Sequence, residues 1–350
     1  MFLEIIHNEI NIIKNTFLST LMTSTTQLFP KYTAIRTNNQ SASYLLSQYM
    51  PVSYNSDDNL NTLWNIHDTT LNQQIPTQNK PKTSLLDLKI TIAEKLYHHC
   101  NFCEHHCGIN RNKTIGHCKV SNTKIASAFL HQGEESFLIP SYTIFFSGCN
   151  FTCLFCQNHD ISQTQTGYSF SPTQLATIIQ QTKKDATNIN FVGGEPTPHL
   201  LFILKTLKQL AINKPLIWNS NMYCSIETMK LLNGIIDLYL TDFKFGNSHC
   251  AQELAQIKQY PTIIKRNHLL AAKQTELLIR HLILPNHVDC CTKPILEFIN
   301  NHHLKSPIHL MTQYHPAYQT KNHQSLNRSL NIKEKNNAIH YAKQLDINLL

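Results

Sequence analysis

Residues 142–158 have the sequence YTIFFSGCNFTCLFCQN, in which a run of β-branched and aromatic residues leads into three cysteines. The run Tyr142–Phe146 predicts a buried strand, which ends where the chain must turn at a glycine. Cys149, Cys153 and Cys156 therefore follow the C-terminal end of a strand, the edge at which α/β folds build their sites. Electron-transfer clusters use four cysteines, so three leave one iron of a four-iron cluster without a protein ligand. A structural zinc site is the alternative, although such sites normally need a fourth protein ligand.

A second motif, Phe191-Val-Gly-Gly-Glu-Pro196, follows the next predicted strand. Its glycines allow close approach of the backbone to a ligand, and the carboxylate of Glu195 is suited to a cationic amine. This motif and the C-x3-C-x2-C spacing, with Phe155 between the last two cysteines, together resemble the radical S-adenosylmethionine (SAM) superfamily. The most specific resemblance is to pyruvate formate-lyase-activating-enzyme-like proteins that carry an N-terminal four-cysteine motif. It extends from about residue 85 to the C-terminus.

The resemblance implies a 4Fe-4S cluster on the three cysteines and SAM bound at its open iron, with Phe155, Gly193, Gly194 and Glu195 among the cofactor-binding residues. The activity it implies is reductive cleavage of SAM to a deoxyadenosyl radical, which takes hydrogen from a substrate. That substrate is a glycyl residue of a partner enzyme or a small molecule. A one-electron donor of the flavodoxin or ferredoxin type is the implied partner, and the protein would be a cytoplasmic oxidoreductase.

Later predicted strands also end in polar residues, which the same edge of the sheet would collect. Asn219 and Asn221 lie where related activases carry Thr-Asn-Gly, so one of them is expected to face SAM. Asp242 and Lys244 resemble the Asp-x-Lys of glycyl-radical activases and are our candidates for the substrate step, with a simple ion pair as the alternative. Arg280 resembles a family arginine that can bind the SAM carboxylate through two hydrogen bonds.

A second cysteine set precedes the first in the chain and has the spacing C-x2-C-x3-C-x10-C. Four cysteines can close a metal site, and their sulfur-rich ligation allows either zinc or a second iron–sulfur cluster. The set follows a predicted helix, Leu85–Tyr97, for which Ser84 is the candidate N-cap. Its members are Cys100, Cys103, Cys107 and Cys118.

Three segments are expected along the chain. Residues 1–83 form a polar N-terminal extension whose composition allows poor order, residues 84–124 form the helix and four-cysteine module, and residues 125–350 form the barrel. The family resemblance, with which the periodicity is consistent, implies an α/β fold, a partial (β/α)6 TIM-like radical SAM barrel. The predicted strands are 143–146, 189–192, 216–218, 236–240, 277–284 and 309–312. The predicted helices are 172–184, 199–210, 226–232, 252–259, 293–300 and 333–345.

The charge distribution along the chain bears on its binding partners. The net charge of +8 lies entirely after residue 170, where 19 Lys and Arg oppose 11 Asp and Glu. Such an excess could attract an acidic electron donor, and it also motivates the alternative of a non-catalytic iron–sulfur or zinc protein that binds nucleic acid. Nucleic acid is the less favoured partner, because no basic stripe interleaved with aromatic residues is visible. Residues 1–11 lack a basic leader and no segment reaches spanning length without charges, so we expect neither secretion nor a membrane anchor.

Overall fold

A seven-stranded sheet forms the centre of the protein. The computed structural model describes residues 26–73, 75–182 and 184–350. The first strand runs antiparallel to the second, and the other strands are parallel and follow one another in chain order. The prediction of a partial TIM-like barrel is therefore confirmed, with one antiparallel strand added at its edge. The strands are β1 (Ile125–His131), β2 (Ser141–Phe146), β3 (Asn188–Gly193), β4 (Leu216–Ser220), β5 (Leu238–Asp242), β6 (Glu276–Leu282) and β7 (Ile308–Met311).

Helices precede the sheet and alternate with its parallel strands. Most predicted helices are present with shifts of a few residues at their ends, and each of the six predicted parallel strands is found. The helices are α1 (Pro30–Arg36), α2 (Ser43–Tyr49), α3 (Leu60–Gln73), α4 (Leu85–His98), α5 (His159–Ser162), α6 (Pro172–Gln181), α7 (Leu200–Lys208), α8 (Ile226–Leu232), α9 (Ser248–Ala255), α10 (Tyr260–Gln274), α11 (Lys293–Asn301) and α12 (Ile332–Gln344).

The predicted bounds of one helix, 252–259, were wrong, and a second helix that follows it was not predicted. Asn247 caps α9 by accepting a hydrogen bond from the backbone N–H of Cys250, so this helix begins four residues earlier than predicted. It ends at Gln256, which has a left-handed conformation. Pro261 lies in the first turn of α10, where its fixed φ and missing N–H are tolerated. The sequence Tyr260–Gln274 thus forms a 15-residue helix that we had not predicted.

Helix α4 begins as predicted. The Ser84 hydroxyl accepts from the backbone N–H of Asp87, and the Asp87 carboxylate accepts from the backbone N–H of Ser84. This capping box satisfies two helix-terminal donors at once. The prediction of Ser84 as the N-cap is therefore confirmed.

The segment before α4 differs from the expectation of poor order. Phe29, which precedes α1, and Tyr32 of α1 form a second, smaller core with Ile217 of β4 and Leu240 of β5, whereas neighbouring strand residues such as Trp218 belong to the main core. Successive strand residues therefore pack on opposite faces of the sheet. Few apolar residues are needed to fix α1, because Tyr32 and Ile35 are both buried. Residues 1–25 of the predicted extension lie outside the described residues.

Polar contacts fix the same segment to the start of the strands. The carboxylate of Glu276 accepts from the backbone N–H groups of Lys31 and Tyr32, at 2.6 and 2.8 Å. The buried Asp237 carboxylate accepts from the backbone N–H and the hydroxyl of Ser43. The N-terminal helices thus close the end of the sheet opposite to the cysteine loop. Among the described residues, no helix combines the length and apolar character that crossing a membrane requires.

Candidate functional site

A cavity of about 420 Å³ opens at the C-terminal edge of the sheet. Parallel strands end here together, so residues far apart in sequence meet around one space. All three cysteines of the 149–156 loop line it, as do all nine of the residues predicted to bind the cofactor or to serve the substrate step, whereas the four N-terminal cysteines do not. The lining residues argued below are Glu134, Cys149, Cys153, Phe155, Cys156, Gly193, Gly194, Glu195, Asn219, Asn221, Asp242, Lys244 and Arg280.

The two glycines at the end of β3 allow the strand end to lie directly against the cysteine loop. A Cβ atom at Gly193 would lie 2.2 Å from the backbone N and O of Phe146, and one at Gly194 would lie 2.1 Å from the carbonyl oxygen of Gly148. Gly193 also has φ +127°, in the region that favours glycine. We expected these glycines to admit a ligand; in the structure they admit the backbone that carries Cys149.

Glu195 is fully enclosed and holds two strand ends together. Its carboxylate accepts from the hydroxyls of Thr197 and Ser220 at 2.5 and 2.7 Å, and from the backbone N–H of Asn221 at 2.9 Å. Burial raises the pKa of Glu195 despite these bonds. One carboxylate oxygen, Oε1, accepts from both hydroxyls, so Oε2 is the atom with more capacity left for an amine.

The cysteine loop offers three thiols with hydrogen bonds suited to thiolates. The backbone N–H of Phe151 donates to Cys149 Sγ at 3.3 Å, and the hydroxyl of Ser162 lies 3.1 Å from Cys156 Sγ. Burial raises the pKa of the Cys149 thiol, and it raises that of Cys153 to about 12. Metal binding would have to displace these protons.

The donor set fits a cluster better than a single metal ion. Among the described residues, one set of three Cys, His, Asp or Glu side chains has its ligand atoms within 4.8 Å of one another, and it contains no residue of this loop. The loop sulfurs are thus spread more widely than a mononuclear tetrahedral site requires. Three thiols around a common cavity, without a fourth, match a 4Fe-4S cluster with one open iron.

The two asparagines after β4 have different surroundings. Asn221 donates through Nδ2 to Asn150 Oδ1 at 2.7 Å and to Cys149 Sγ at 3.8 Å, so its side chain braces the cysteine loop. Asn219 lines the cavity with an 8% exposed side chain and forms no side-chain hydrogen bond within the part of the chain that the structure describes. Of the two, Asn219 is the one available to a ligand.

Asp242 and Lys244 form an ion pair at the end of β5, with 2.6 Å between Lys244 Nζ and Asp242 Oδ2. Burial lowers the pKa of Lys244, but the charges of Asp242 and Cys153 outweigh it and the net pKa is raised. In return, the ammonium lowers the pKa of Cys153 against the effect of burial. The pair therefore lies close enough to affect the thiol of Cys153.

Arg280 lines the cavity but already has two carboxylate partners. Its Nε and Nη2 donate to Glu135 at 2.9 and 2.5 Å, and Nη2 also contacts Glu134. Burial raises the pKa of Glu135, yet the bonds from His309 and Arg280 outweigh it and hold this pKa at about 2. The guanidinium face needed for a bidentate bond is occupied, which argues against the predicted bidentate contact with the SAM carboxylate.

Sequence reasoning missed Glu134 and Glu135, which follow β1. The signal available was the pair of adjacent acidic residues after Gly133, in a segment where we predicted no strand. The two carboxylates are 6% and 5% exposed, and both contact the guanidinium of Arg280. Glu134 lines the cavity, whereas Glu135, which also bonds to His309, does not. A buried carboxylate in the cavity wall favours a cationic ligand.

The N-terminal cysteine set packs beside the cysteine loop. Cys103 forms an isolated β-bridge with Cys224 of the barrel, and His105 Nε2 lies 2.8 Å from the carbonyl oxygen of Asn150. Burial raises the pKa of the Cys103 thiol, and the charges of Cys118, Cys100 and Cys107 raise it further. No three of the four sulfurs converge within 4.8 Å among the described residues, so a metal on this set stays a prediction.

A larger cavity, of about 660 Å³, lies away from the cysteine loop. Its walls come from α4, α7 and the segment around Arg111 and Thr123, and they include none of the cysteines. We assign the site to the smaller cavity because the thiols and the polar strand ends converge there.

Known proteins resemble this chain in sequence and in fold. The family model of the Radical SAM superfamily matches residues 143–299, a range that contains the cysteine loop and ends beyond Arg280. Uncharacterized protein MJ0674 of Methanocaldococcus jannaschii is 43% identical over 333 residues, which cover 91% of this chain and 98% of that protein.

Among solved structures, SuiB of Streptococcus suis is similar with a TM-score of 0.41 and 13% identity over 60% of this chain. The structure of SuiB bound to S-adenosylmethionine gives 0.42 and 13% over 57% of this chain. In both comparisons this chain spans about half of SuiB, 47% of its length.

Proposed function

We propose that this chain, whose residues 143–299 form a radical SAM superfamily domain, is an enzyme that cleaves SAM at the 149–156 loop to abstract hydrogen from a substrate. The observation that carries the proposal is the convergence of three thiols, the Gly193-Gly194-Glu195 turn and four polar strand ends on one cavity. Bound there, a 4Fe-4S cluster and SAM would supply reductive cleavage to methionine and a deoxyadenosyl radical. The residues of the chain position and shield these groups.

Cys149, Cys153 and Cys156 would hold the cluster. Asn221 and the backbone N–H of Phe151 donate toward Cys149, which favours its thiolate. Phe155, 5% exposed and packed edge to face against Phe245, covers one side of the loop and keeps water from it.

The SAM methionine group would lie between the ends of β3 and β4. Glu195 Oε2 and the backbone of Gly194 suit its amino group, and the Asn219 amide suits its carboxylate. The carboxylate of Glu134 in the cavity wall would favour the positive sulfonium. Arg280 then acts by holding Glu134 and Glu135 in place, with Nη1 as its one nitrogen not bonded to the two carboxylates.

We further propose a protein substrate of the kind that activating-enzyme-like members of the superfamily act on, a glycyl residue of a partner. Asp242 and Lys244 are 31% and 23% exposed at the cavity, and they present an acceptor and donors to an incoming backbone. A flavodoxin- or ferredoxin-type donor in the cytoplasm would deliver the electron, attracted by the basic C-terminal half. The enzyme would be classed as an oxidoreductase.

The four N-terminal cysteines would hold a second metal, zinc or iron–sulfur. The compact backbone of this segment supports the proposal: the backbone N–H of Cys100 donates to the Ile109 carbonyl, and that of Gly108 donates to the Cys100 carbonyl. The His117 N–H also donates to Cys107 Sγ at 3.4 Å. Backbone N–H groups directed at sulfur are typical of metal-bound thiolates.

The test is anaerobic reconstitution with iron and sulfide, followed by addition of SAM and a strong reductant. Deoxyadenosine formed in proportion to protein supports the proposal, and omission of the reductant should abolish it. Salt-sensitive binding of nucleic acid with no deoxyadenosine would instead support the non-catalytic alternative. A glycine-containing peptide that increases deoxyadenosine yield would support the protein substrate, and a small molecule that alone does so would contradict it.

A further inference from the structure

Two cysteines and one histidine outside both predicted metal sets converge at the rim of the barrel. Cys250 lies in the first turn of α9, and His287 and Cys290 lie in the turn that follows β6. Their ligand atoms all lie within 4.8 Å of one another, an arrangement not repeated among the described residues.

The spacing of the two sulfurs matches that of a shared metal ion. Cys250 Sγ and Cys290 Sγ are 3.7 Å apart. With Zn–S bonds of about 2.3 Å and tetrahedral angles, two sulfurs on one zinc ion lie about 3.8 Å apart. Both cysteines are free thiols in this structure.

His287 is oriented as a metal ligand. It is 7% exposed, and its Nδ1 lies 2.7 Å from the carbonyl oxygen of Pro285, which can only accept a hydrogen bond. The proton is therefore on Nδ1, and the lone pair of Nε2 is left for a ligand. A backbone carbonyl that fixes the tautomer in this way is the usual outer partner of a metal-bound histidine.

The side chain of Asn247 holds the two segments together and contacts one of the two thiols. Asn247 Nδ2 donates to Cys250 Sγ at 3.2 Å and to the Cys290 carbonyl at 2.7 Å, while its Oδ1 caps α9. Cys250 also lies at the N-terminal end of this helix, whose dipole stabilises a negative sulfur. The convergence therefore results from specific contacts between the segments after β5 and β6.

We propose that Cys250, His287 and Cys290 bind a zinc ion, which joins the segment after β5 to the segment after β6. Two thiolates and one imidazole are typical ligands of zinc, and the fourth position is left for solvent or another external ligand. Helix α9 in turn contacts the cysteine loop, because the carbonyls of Leu254 and Ala255 accept hydrogen bonds from Leu154 and Thr152.

Zinc content of the full-length protein tests the site. Wild-type protein, reduced and saturated with Zn²⁺ after cluster reconstitution and then desalted, should carry one more zinc per chain than the Cys290→Ser variant, with equal iron. His287→Gln, which retains both thiols, should lose the same single equivalent. Cys224→Ala is the matched control, a buried cysteine outside every set, and should retain it.

Binding of cobalt gives a second measurement, which does not depend on counting zinc equivalents per chain. Co²⁺ in the wild-type and Cys224→Ala proteins should show sulfur-to-cobalt charge-transfer absorption that is weaker in Cys290→Ser. Equal zinc content and equal cobalt spectra in wild-type, Cys290→Ser and His287→Gln proteins would overturn the proposal. So would a Cys250–Cys290 disulfide in protein kept anaerobic throughout, shown by a cross-linked peptide in mass spectrometry of the denatured, unreduced protein.

Discussion

Replacing Arg280 by methionine should destabilise the protein strongly, because it leaves Glu134 and Glu135 buried without their cation. The two carboxylates are 6% and 5% exposed, and removal of one partner from a buried ion pair typically costs about 3–5 kcal/mol. The pKa of Glu135 supports the same magnitude. Its depression from 4.5 to about 2 corresponds to about 3 kcal/mol at neutral pH, of which His309 contributes a share.

The effect should also depend on pH in a defined direction. Because the folded-state pKa of Glu135 lies below its unfolded value, the stabilisation is complete above about pH 4.5 and is lost as the pH falls toward about 2. The difference in unfolding free energy between the wild-type and Arg280→Met proteins should therefore be about 3 kcal/mol at pH 7 and less than half of that at pH 3. Urea unfolding of the iron-free proteins, followed by the fluorescence of Trp64 and Trp218, measures it.

A matched control separates this effect from the loss of any arginine. Arg328→Met removes an arginine that also bonds to a carboxylate, that of Glu334, and holds its pKa at about 2. Because the Arg328 side chain is 38% exposed, solvent screens this pair, and the loss should stay below about 1 kcal/mol. Adding Glu135→Gln to Arg280→Met should restore part of the stability. If Arg280→Met unfolds like the wild type but binds SAM at least tenfold more weakly, the guanidinium serves SAM and our interpretation of the pair is refuted.

Two further predictions concern the cysteine loop. The Gly194→Ala variant should lose most of the reconstituted iron, because its Cβ would lie 2.1 Å from the Gly148 carbonyl oxygen and displace the cysteine loop. The control variant Gly133→Ala should retain its iron, because the added Cβ meets only the side chain of His131, at 3.0 Å. Equal iron content in both variants would contradict this prediction. The Lys244→Met variant should have a cluster that is harder to reduce, because it removes a positive charge near the cluster, and Asp242→Asn should have one that is easier to reduce, because it removes a negative charge. Potentiometric titration should show shifts of opposite sign in the reduction potential of the cluster. Unchanged potentials would mean that the pair lies too far from the cluster to affect it.

The parallel sheet was predictable from the sequence because each of its strands is a short apolar run followed by polar residues. Strands that are buried on both faces show such continuous apolar runs, which are easily recognised in the sequence. Strand β1 was missed because it is the antiparallel edge strand, in which only Ile125 is fully buried. Helix α1 was missed because its apolar residues make contacts with strands about 190 or more residues away, which no local pattern shows.

The composition of the site was predictable, but the partners of its side chains were not. Motif spacing brought the three cysteines and the glycine turn to one edge. It did not show that Glu134 and Glu135 engage Arg280, or that Asn221 supports Cys149, because these contacts join loops with no sequence relation. The Cys250, His287 and Cys290 group was missed for the same reason, since its members come from separate segments.

The most direct test of the proposed function compares deoxyadenosine formation by three reconstituted proteins under identical reducing conditions. The wild-type and Cys224→Ala proteins should form deoxyadenosine from SAM, and the protein with Cys149, Cys153 and Cys156 all replaced by alanine should form none. Deoxyadenosine formation by the triple variant at the wild-type rate would contradict the assignment of SAM cleavage to this loop.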